Sequence, residues 1–364
     1  MSPPLVSAQA DARRRVGVSS FGTALVVLAL LIPATIVLSG SVGVTEVSFT
    51  DSLRILAGHL LPGMPWMTDG SLTPLQDQAV WSFRLPRTLL AGVSGAGLAL
   101  AGALMQAVVR NPLAEPYILG VSAGAGLGAV LVITLGSAAV AGLGLSTAAF
   151  AGALVTGLVV YLLARQHGMI APTRLILSGV AIGSLLSAIT SFLTLTTEAQ
   201  NVFSVLFFLL GSVSAAELGD TVLPALVLLG VAVFAMAQAR RLNALLAGDE
   251  VATALGVDAD RLRSRLMVAA ALLTGAVVSV SGGIGFIGLV VPHVARILVG
   301  SHHRRVLPVT ILGGALFLML ADLLARSVAE PTEVPIGIVT AVVGAPFFLW
   351  LMRHRRSARG GMNR

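Results

Sequence analysis

Cysteine and lysine are both absent from the 364 residues. Without cysteine there is no thiolate metal site, no iron–sulfur cluster and no disulfide. Without lysine there is no Walker A phosphate loop, whose lysine must reach the β- and γ-phosphates, and no Schiff-base chemistry. Charge of either sign is scarce, at 11% of residues against roughly 25% in soluble domains. Aromatic residues make up 5%, and no basic stripe is interleaved with stacking rings, which argues against nucleic acid as a partner.

What is present is apolar. Hydrophobic residues make up 56% of the chain and the mean hydropathy is +0.95, so lipid is the solvent over most of the surface. A spanning helix needs ~20 apolar residues. The hydropathy predicts spans near 20–39, 88–109, 117–136, 145–165, 173–196, 220–239, 265–283, 286–300, 308–328 and 335–352, the eighth being short. The polar arm 1–19 ends near Arg13, Arg14 and Arg15, and the apolar run 21–38 is long for a signal peptide. It is therefore read as an uncleaved first span. Glycine is dense in several spans, as at Gly92, Gly95, Gly97 and Gly102, where small residues let helix backbones approach closely in lipid.

The arginines set the orientation. With both termini in the cytoplasm, 19 of the 23 fall on the cytoplasmic side and only Arg54, Arg84, Arg87 and Arg326 on the other. The reverse arrangement inverts the positive-inside rule. Three stretches then divide the chain: a cytoplasmic arm 1–19, a membrane domain 20–352 with a cytoplasmic segment 240–264, and a cytoplasmic basic tail 353–364. Two long loops lie outside. Residues 40–83 hold turns and a short surface helix; residues 197–219 carry an apolar core, 202–210, too short to span, which reads as re-entrant or interfacial. Segments 95–120 and 275–300 echo each other faintly in opposite directions, as in an inverted repeat.

Several motifs are bland on inspection. Residues 283–288 match G-x-G-x-x-G, but they join two apolar helices instead of following a strand and opening a soluble helix, so they mark a helix break and not a nucleotide loop. The six histidines have no zincin spacing, and His302 and His303 read as a solvated turn. Asp322 and Arg326, four apart on the ninth span, read as a local salt bridge. The segment 248–265 looks soluble: acids Asp249 and Glu250 open a helix where the dipole favours them, Val251, Ala254 and Leu255 form an apolar face, Gly256 ends it, and a second short charged helix follows. Two short helices without a core of their own make a docking surface.

Five separated stretches resemble one family: RLPR at 84–87, QAVVRNPLAEPYILGVSAGA at 106–125, GDEVATALGV at 248–257, GGIGFIGLVVPHVAR at 282–296, and ADLLAR with EVPIGIVTAVVGAPFF at 321–326 and 333–348. They resemble, in this order, the ABC importer permeases that carry iron-siderophores, haem and vitamin B12. The resemblance implies an all-α polytopic membrane protein of about ten transmembrane helices, similar to type II ABC importer permeases, in the bacterial cytoplasmic membrane. It implies a dimer of permease subunits, two cytoplasmic ATPase subunits that hold ATP and Mg, and an extracytoplasmic binding protein that delivers a metal chelate, a ferric siderophore first and haem or cobalamin second. The chain itself is then no enzyme and holds no cofactor or metal. By the same resemblance, Arg84, Arg87 and Arg326 receive acids of the binding protein, Asn111, Pro112 and Leu113 with Thr173 form the cytoplasmic gate, and Gly248, Asp249, Glu250, Ala254, Leu255, Gly256 and Val257 couple to the ATPase. The bland alternative for the arginines is headgroup anchoring. A secondary transporter is the rival of another class, but it wants acids near the bilayer midplane, and those in the spans are nearly confined to Asp322.

Overall fold

The computed structural model describes residues 5–61, 63–166, 169–329 and 332–360. Pro62, His167, residues 1–4 of the N-terminal arm and the last four residues of the basic tail lie outside the described residues, as do the side chains of Arg13, Arg14, Arg15 and 353–360. Among the described residues fifteen α-helices run in chain order: α1 Leu5–Ser41, α2 Phe49–Leu60, α3 Pro74–Gln78, α4 Leu85–Val109, α5 Val121–Leu135, α6 Leu145–Ala164, α7 Pro172–Thr196, α8 Ala199–Leu210, α9 Leu218–Ala237, α10 Ala239–Leu246, α11 Asp249–Ala254, α12 Ala259–Ser281, α13 Ile287–Val299, α14 His303–Ser327 and α15 Ile336–Gly360. The strand pairing among those residues is one two-residue ladder, Arg165–Gln166 with Met169–Ile170.

All ten predicted spans are helical. Among the described residues seven helical segments are long and apolar enough to cross a membrane; α5, α13 and the apolar part of α15 are shorter. The short apolar stretch 202–210 lies in α8, twelve residues long and seated by fully buried Val205, while Phe203 is exposed. The loop 40–83 holds more structure than a surface helix. Ser48 caps α2 by accepting from the Asp51 N–H at 3.0 Å, and His59 stacks on Trp81 at 4.1 Å while meeting Asp77 at 2.7 Å.

α4 is the central column, with 89% of its spanning window buried, against α9, α12, α13 and α14. Its entry is a π-helical turn, Ala79–Arg84, in which the Leu85 N–H bonds back to the Val80 carbonyl. Pro86, in the first turn of α4, has no N–H to give, and the wider turn absorbs that loss. Gly102 explains how α4 can be central. A Cβ there would strike the backbone of Gly288 on α13, so the two helices touch main chain to main chain.

Candidate functional site

At the arginine-poor end, α1, α4, α14 and the segment carrying Glu333 converge on a cluster of charge. Arg87 lies one turn into α4 and Asp322 one turn before Arg326 on α14. Arg87 Nε donates to Asp322 Oδ1 at 2.8 Å and its Nη1 to Glu333 Oε1 at 2.6 Å. Arg326 Nε is 3.4 Å from Asp322 Oδ2, and its Nη2 donates to Ser39 Oγ at 2.5 Å. The Ser39 hydroxyl also meets that of Thr88. Arg84 is held by main chain, donating to the Gly40 and Thr45 carbonyls at 2.6 Å each. Gly43, at φ +140°, lets the chain turn beneath that guanidinium.

The local Asp322–Arg326 bridge is present, as the longer arm of a network whose shortest bond to Asp322 comes from Arg87, on another helix. Arg84, Arg87 and Arg326 are buried, at 7%, 6% and 8% exposed, and Asp322 is 1% exposed. The cost of burying charge explains the network, since buried ions persist only when paired and hydrogen-bonded. Glu333 is the exposed member, its side chain 39% open. Sequence reasoning missed it, because it stands 246 residues from Arg87.

At the arginine-rich end, α4 stops at Arg110, whose φ of +53° is left-handed. Asn111 Oδ1 then accepts from the Leu113 N–H at 3.0 Å, a side-chain-stabilised turn, and Leu113 is part-exposed. Glu115 and Tyr117 tie this elbow to the break before α13. Glu115 Oε1 accepts from the Phe286 N–H at 2.9 Å; Tyr117 Oη donates to the Ile284 carbonyl at 2.6 Å and accepts from the Ile284 N–H at 2.7 Å. Phe286 sits at φ +69°, an uncommon conformation for a bulky residue, fixed by that carboxylate. Burial pushes the Glu115 carboxyl above its ordinary value, opposed by the Phe286 N–H. Thr173 stands at the exposed start of α7; α7 reaches the turn after the elbow farther along, at Gly179 against the Ile118 carbonyl.

Residues 240–264 are built from α10, α11 and the first turns of α12. Gly248 at φ +112° and Gly256 at φ +76° bracket α11. Val251 is 45% and Leu255 67% exposed, while Ala252 between them is fully buried. Ala254 and Glu250 are exposed; Val257 is half-buried against the main core. The second short helix expected after Gly256 is instead the start of α12, which is continuous with the membrane span. The extra short helix is α10, ahead of α11. Asp249 links the parts: its Oδ1 accepts from Arg110 Nη1 at 2.9 Å and Arg263 Nη2 at 2.6 Å. Arg263 is buried, which is why the three arginines at 261, 263 and 265 do not all face water. His303 is also corrected. It is 2% exposed, and Asn243 Oδ1 accepts its backbone N–H at 2.9 Å, with the His303 Nδ1 also 2.9 Å away.

Among the described residues no group of three His, Asp or Glu side chains could hold a metal ion. A set of apolar helices around a buried central column, with built polar clusters at its two ends, defines a multi-pass membrane protein. The chain belongs to the FecCD transport family, which matches residues 25–354, and is a permease of that ABC importer family. It is 43% identical over 325 residues to the cobalamin import system permease protein BtuC of Halobacterium salinarum, covering 86% of this chain and 85% of that one. It is 41% identical over 287 residues to the hemin transport system permease protein HmuU of Yersinia pestis, covering 78% and 85%. A solved inward-facing conformation of a chain classed with the metal-chelate type ABC transporters superposes with a TM-score of 0.76 at 32% identity, covering 91% of this chain and 98% of that one.

Proposed function

We propose that this chain is the permease subunit of a type II importer that moves a metal chelate across the bacterial cytoplasmic membrane, with both termini in the cytoplasm. It pairs with a second permease subunit. Two ATPase subunits, holding ATP and Mg, drive it from the cytoplasm, and an extracytoplasmic binding protein delivers the cargo. The observation that carries the reading is α11. In a permease of this family, a short helix on the arginine-rich end presents Val251 and Leu255 to solvent while Asp249 ties it to the elbow. An apolar face held this way is a seat for a partner, and it moves with the elbow.

In this reading residues 248–257 are the coupling element. Asn111, Pro112 and Leu113, with Thr173, border the cytoplasmic gate. Arg84, Arg87 and Arg326 form the docking pocket at the other end. Glu333 is then the group a partner's carboxylate replaces, because it is the one exposed acid on Arg87. Arginine suits the task, since its planar fork holds a carboxylate bidentately. A ferric siderophore is the first reading of the cargo. Cobalamin or haem is the second, favoured by the cargo for which the two relatives are named.

The test is reconstitution in vesicles with an ATPase pair and a binding protein. Expected is ATP-dependent accumulation of one of ferric siderophore, haem or cobalamin. Accumulation driven by an ion gradient without ATP overturns the reading in favour of a secondary transporter.

A further inference from the structure

Beyond that function, we propose that this permease holds an anionic phospholipid in the groove between α9 and α12, with the phosphate on Arg265 and one acyl chain along the apolar floor. Three arginines stand on the first turns of α12, at 261, 263 and 265. Two of them are committed to acids. Arg261 Nε meets Asp258 Oδ2 at 3.0 Å. Arg263 Nη2 meets Asp249 at 2.6 Å, and its Nη1 lies 3.8 Å from Asp260. Arg265 is exposed and, among the described residues, has no hydrogen-bond or ion-pair partner. It is also the last charge on α12, which continues without one to Ser281. Its guanidinium therefore stands where an apolar span gives way to charge, the level at which a phospholipid carries its phosphate.

A groove of about 430 Å³ opens beside that guanidinium, walled by Gly230 and Phe234 of α9 and by Val268 and Leu272 of α12, and no carboxylate lines it. Residues 265, 268 and 272 are spaced three and four apart, so they form one stripe along α12. The stripe runs roughly 10 Å from Arg265 to Leu272, away from the charged turns, and Val268 is open along it at 56% exposed. Gly230 supplies the second observation. Glycine weakens a helix interior, and in lipid it is ordinarily explained by the close approach of another backbone, as at Gly102. A Cβ at Gly230 would meet no neighbouring atom within 4 Å, so no protein contact requires the notch. The notch deepens the groove instead. An unpaired arginine, whose planar fork holds a phosphate bidentately, beside an apolar channel with no acid in its walls, matches a phosphate that carries an acyl chain.

The test is native mass spectrometry of the purified full chain with equal amounts of phosphatidylglycerol and phosphatidylcholine bearing identical chains. Phosphatidylglycerol is retained about fivefold over phosphatidylcholine, the factor that one basic side chain supplies at a membrane surface. Arg265→Gln removes the preference and Arg265→Lys keeps most of it. Arg304→Gln, which removes another exposed arginine at the start of α14, leaves it unchanged. Gly230→Leu, a better helix former at an open position, fills the notch and lowers retention of both lipids alike. Thermal unfolding of each variant reports that it remains folded. Equal retention of the two lipids by the unaltered chain overturns the proposal. So does an equal loss of preference in Arg304→Gln and Arg265→Gln, which makes the effect one of net charge. Displacement of the lipid by inorganic phosphate overturns it as well and makes Arg265 a small-anion site.

Discussion

Asp249 on α11 and Arg110 at the end of α4 are 139 residues apart and joined by a 2.9 Å bond. The same Asp249 oxygen accepts from the buried Arg263. The two bonds differ in weight. Arg110 and Asp249 are both about half exposed, and such pairs contribute about 0–1 kcal/mol. Arg263 is 8% exposed at its side chain, so its loss of an anion costs more, discounted to about 1 kcal/mol for the open face of Asp249.

Arg110→Gln should therefore leave thermal stability nearly unchanged, while Asp249→Asn lowers the melting temperature by a few degrees. If α11 and the elbow move together, both variants lower the ratio of cargo moved to ATP hydrolysed in reconstituted vesicles. Their effects on that ratio should be non-additive in a double-mutant cycle. Strictly additive effects would show that the pair transmits nothing.

The Arg87–Asp322 cluster separates structure from docking. Asp322→Asn leaves Arg87 and Arg326 buried without their shared anion. It should destabilise the protein by about 3–5 kcal/mol, the range for breaking a buried pair, seen as poor recovery of folded protein from the membrane. Glu333→Gln removes an exposed acid and should cost under about 1 kcal/mol. With Arg87 left short of a carboxylate, the Glu333→Gln variant should bind its partner's acids more tightly. Weaker association, measured by surface plasmon resonance at moderate salt, argues that Glu333 is itself a docking residue.

Leu255→Asp and Val251→Asp place charge on the exposed face of α11. Insertion, folding and melting temperature should be retained, while co-purification of the ATPase falls at least tenfold. Val257→Asp is a different experiment, because Val257 packs on the main core; it should lower stability directly. Intact ATPase binding by the Leu255 and Val251 variants would remove α11 from the interface.

Glu115 carries a pH dependence with a definite sign. Its folded-state carboxyl is raised above its ordinary value by burial. Between the ordinary and the raised value the folded chain binds more protons than the unfolded one, so stability falls as pH rises through that window. Glu115→Gln keeps an oxygen for the Phe286 N–H and has no proton to lose. Its melting temperature should vary less between pH 4.5 and 7 than that of the unaltered chain. Identical pH profiles would mean that Glu115 does not titrate in this range.

Much of this was legible in the chain. The ten spans, the short apolar element at 202–210, the elbow at Asn111-Pro112 and the helix opened by Asp249 all announce themselves through local composition, proline and glycine. The end of α11 at Gly256 was visible for the same reason. The continuation into α12 was not, because the arginines at 261, 263 and 265 read as a separate short charged helix until Arg263 finds Asp249. His303 looked solvated until Asn243 covered it.

The sequence by itself determined the solvent, the positions of the helices and the end of the molecule at which arginine gathers. Apolar length and charge bias are properties of short stretches, and no folded partner is needed to express them. Tertiary structure alone decided that α4 is the buried column, that Arg87 meets Asp322 across 235 residues and Glu333 across 246, and that Gln106 meets Arg296. These depend on how each helix is rotated and which neighbour it packs against. A glycine such as Gly102 permits that choice by removing a Cβ, but it does not name the partner; the fit of the whole bundle does.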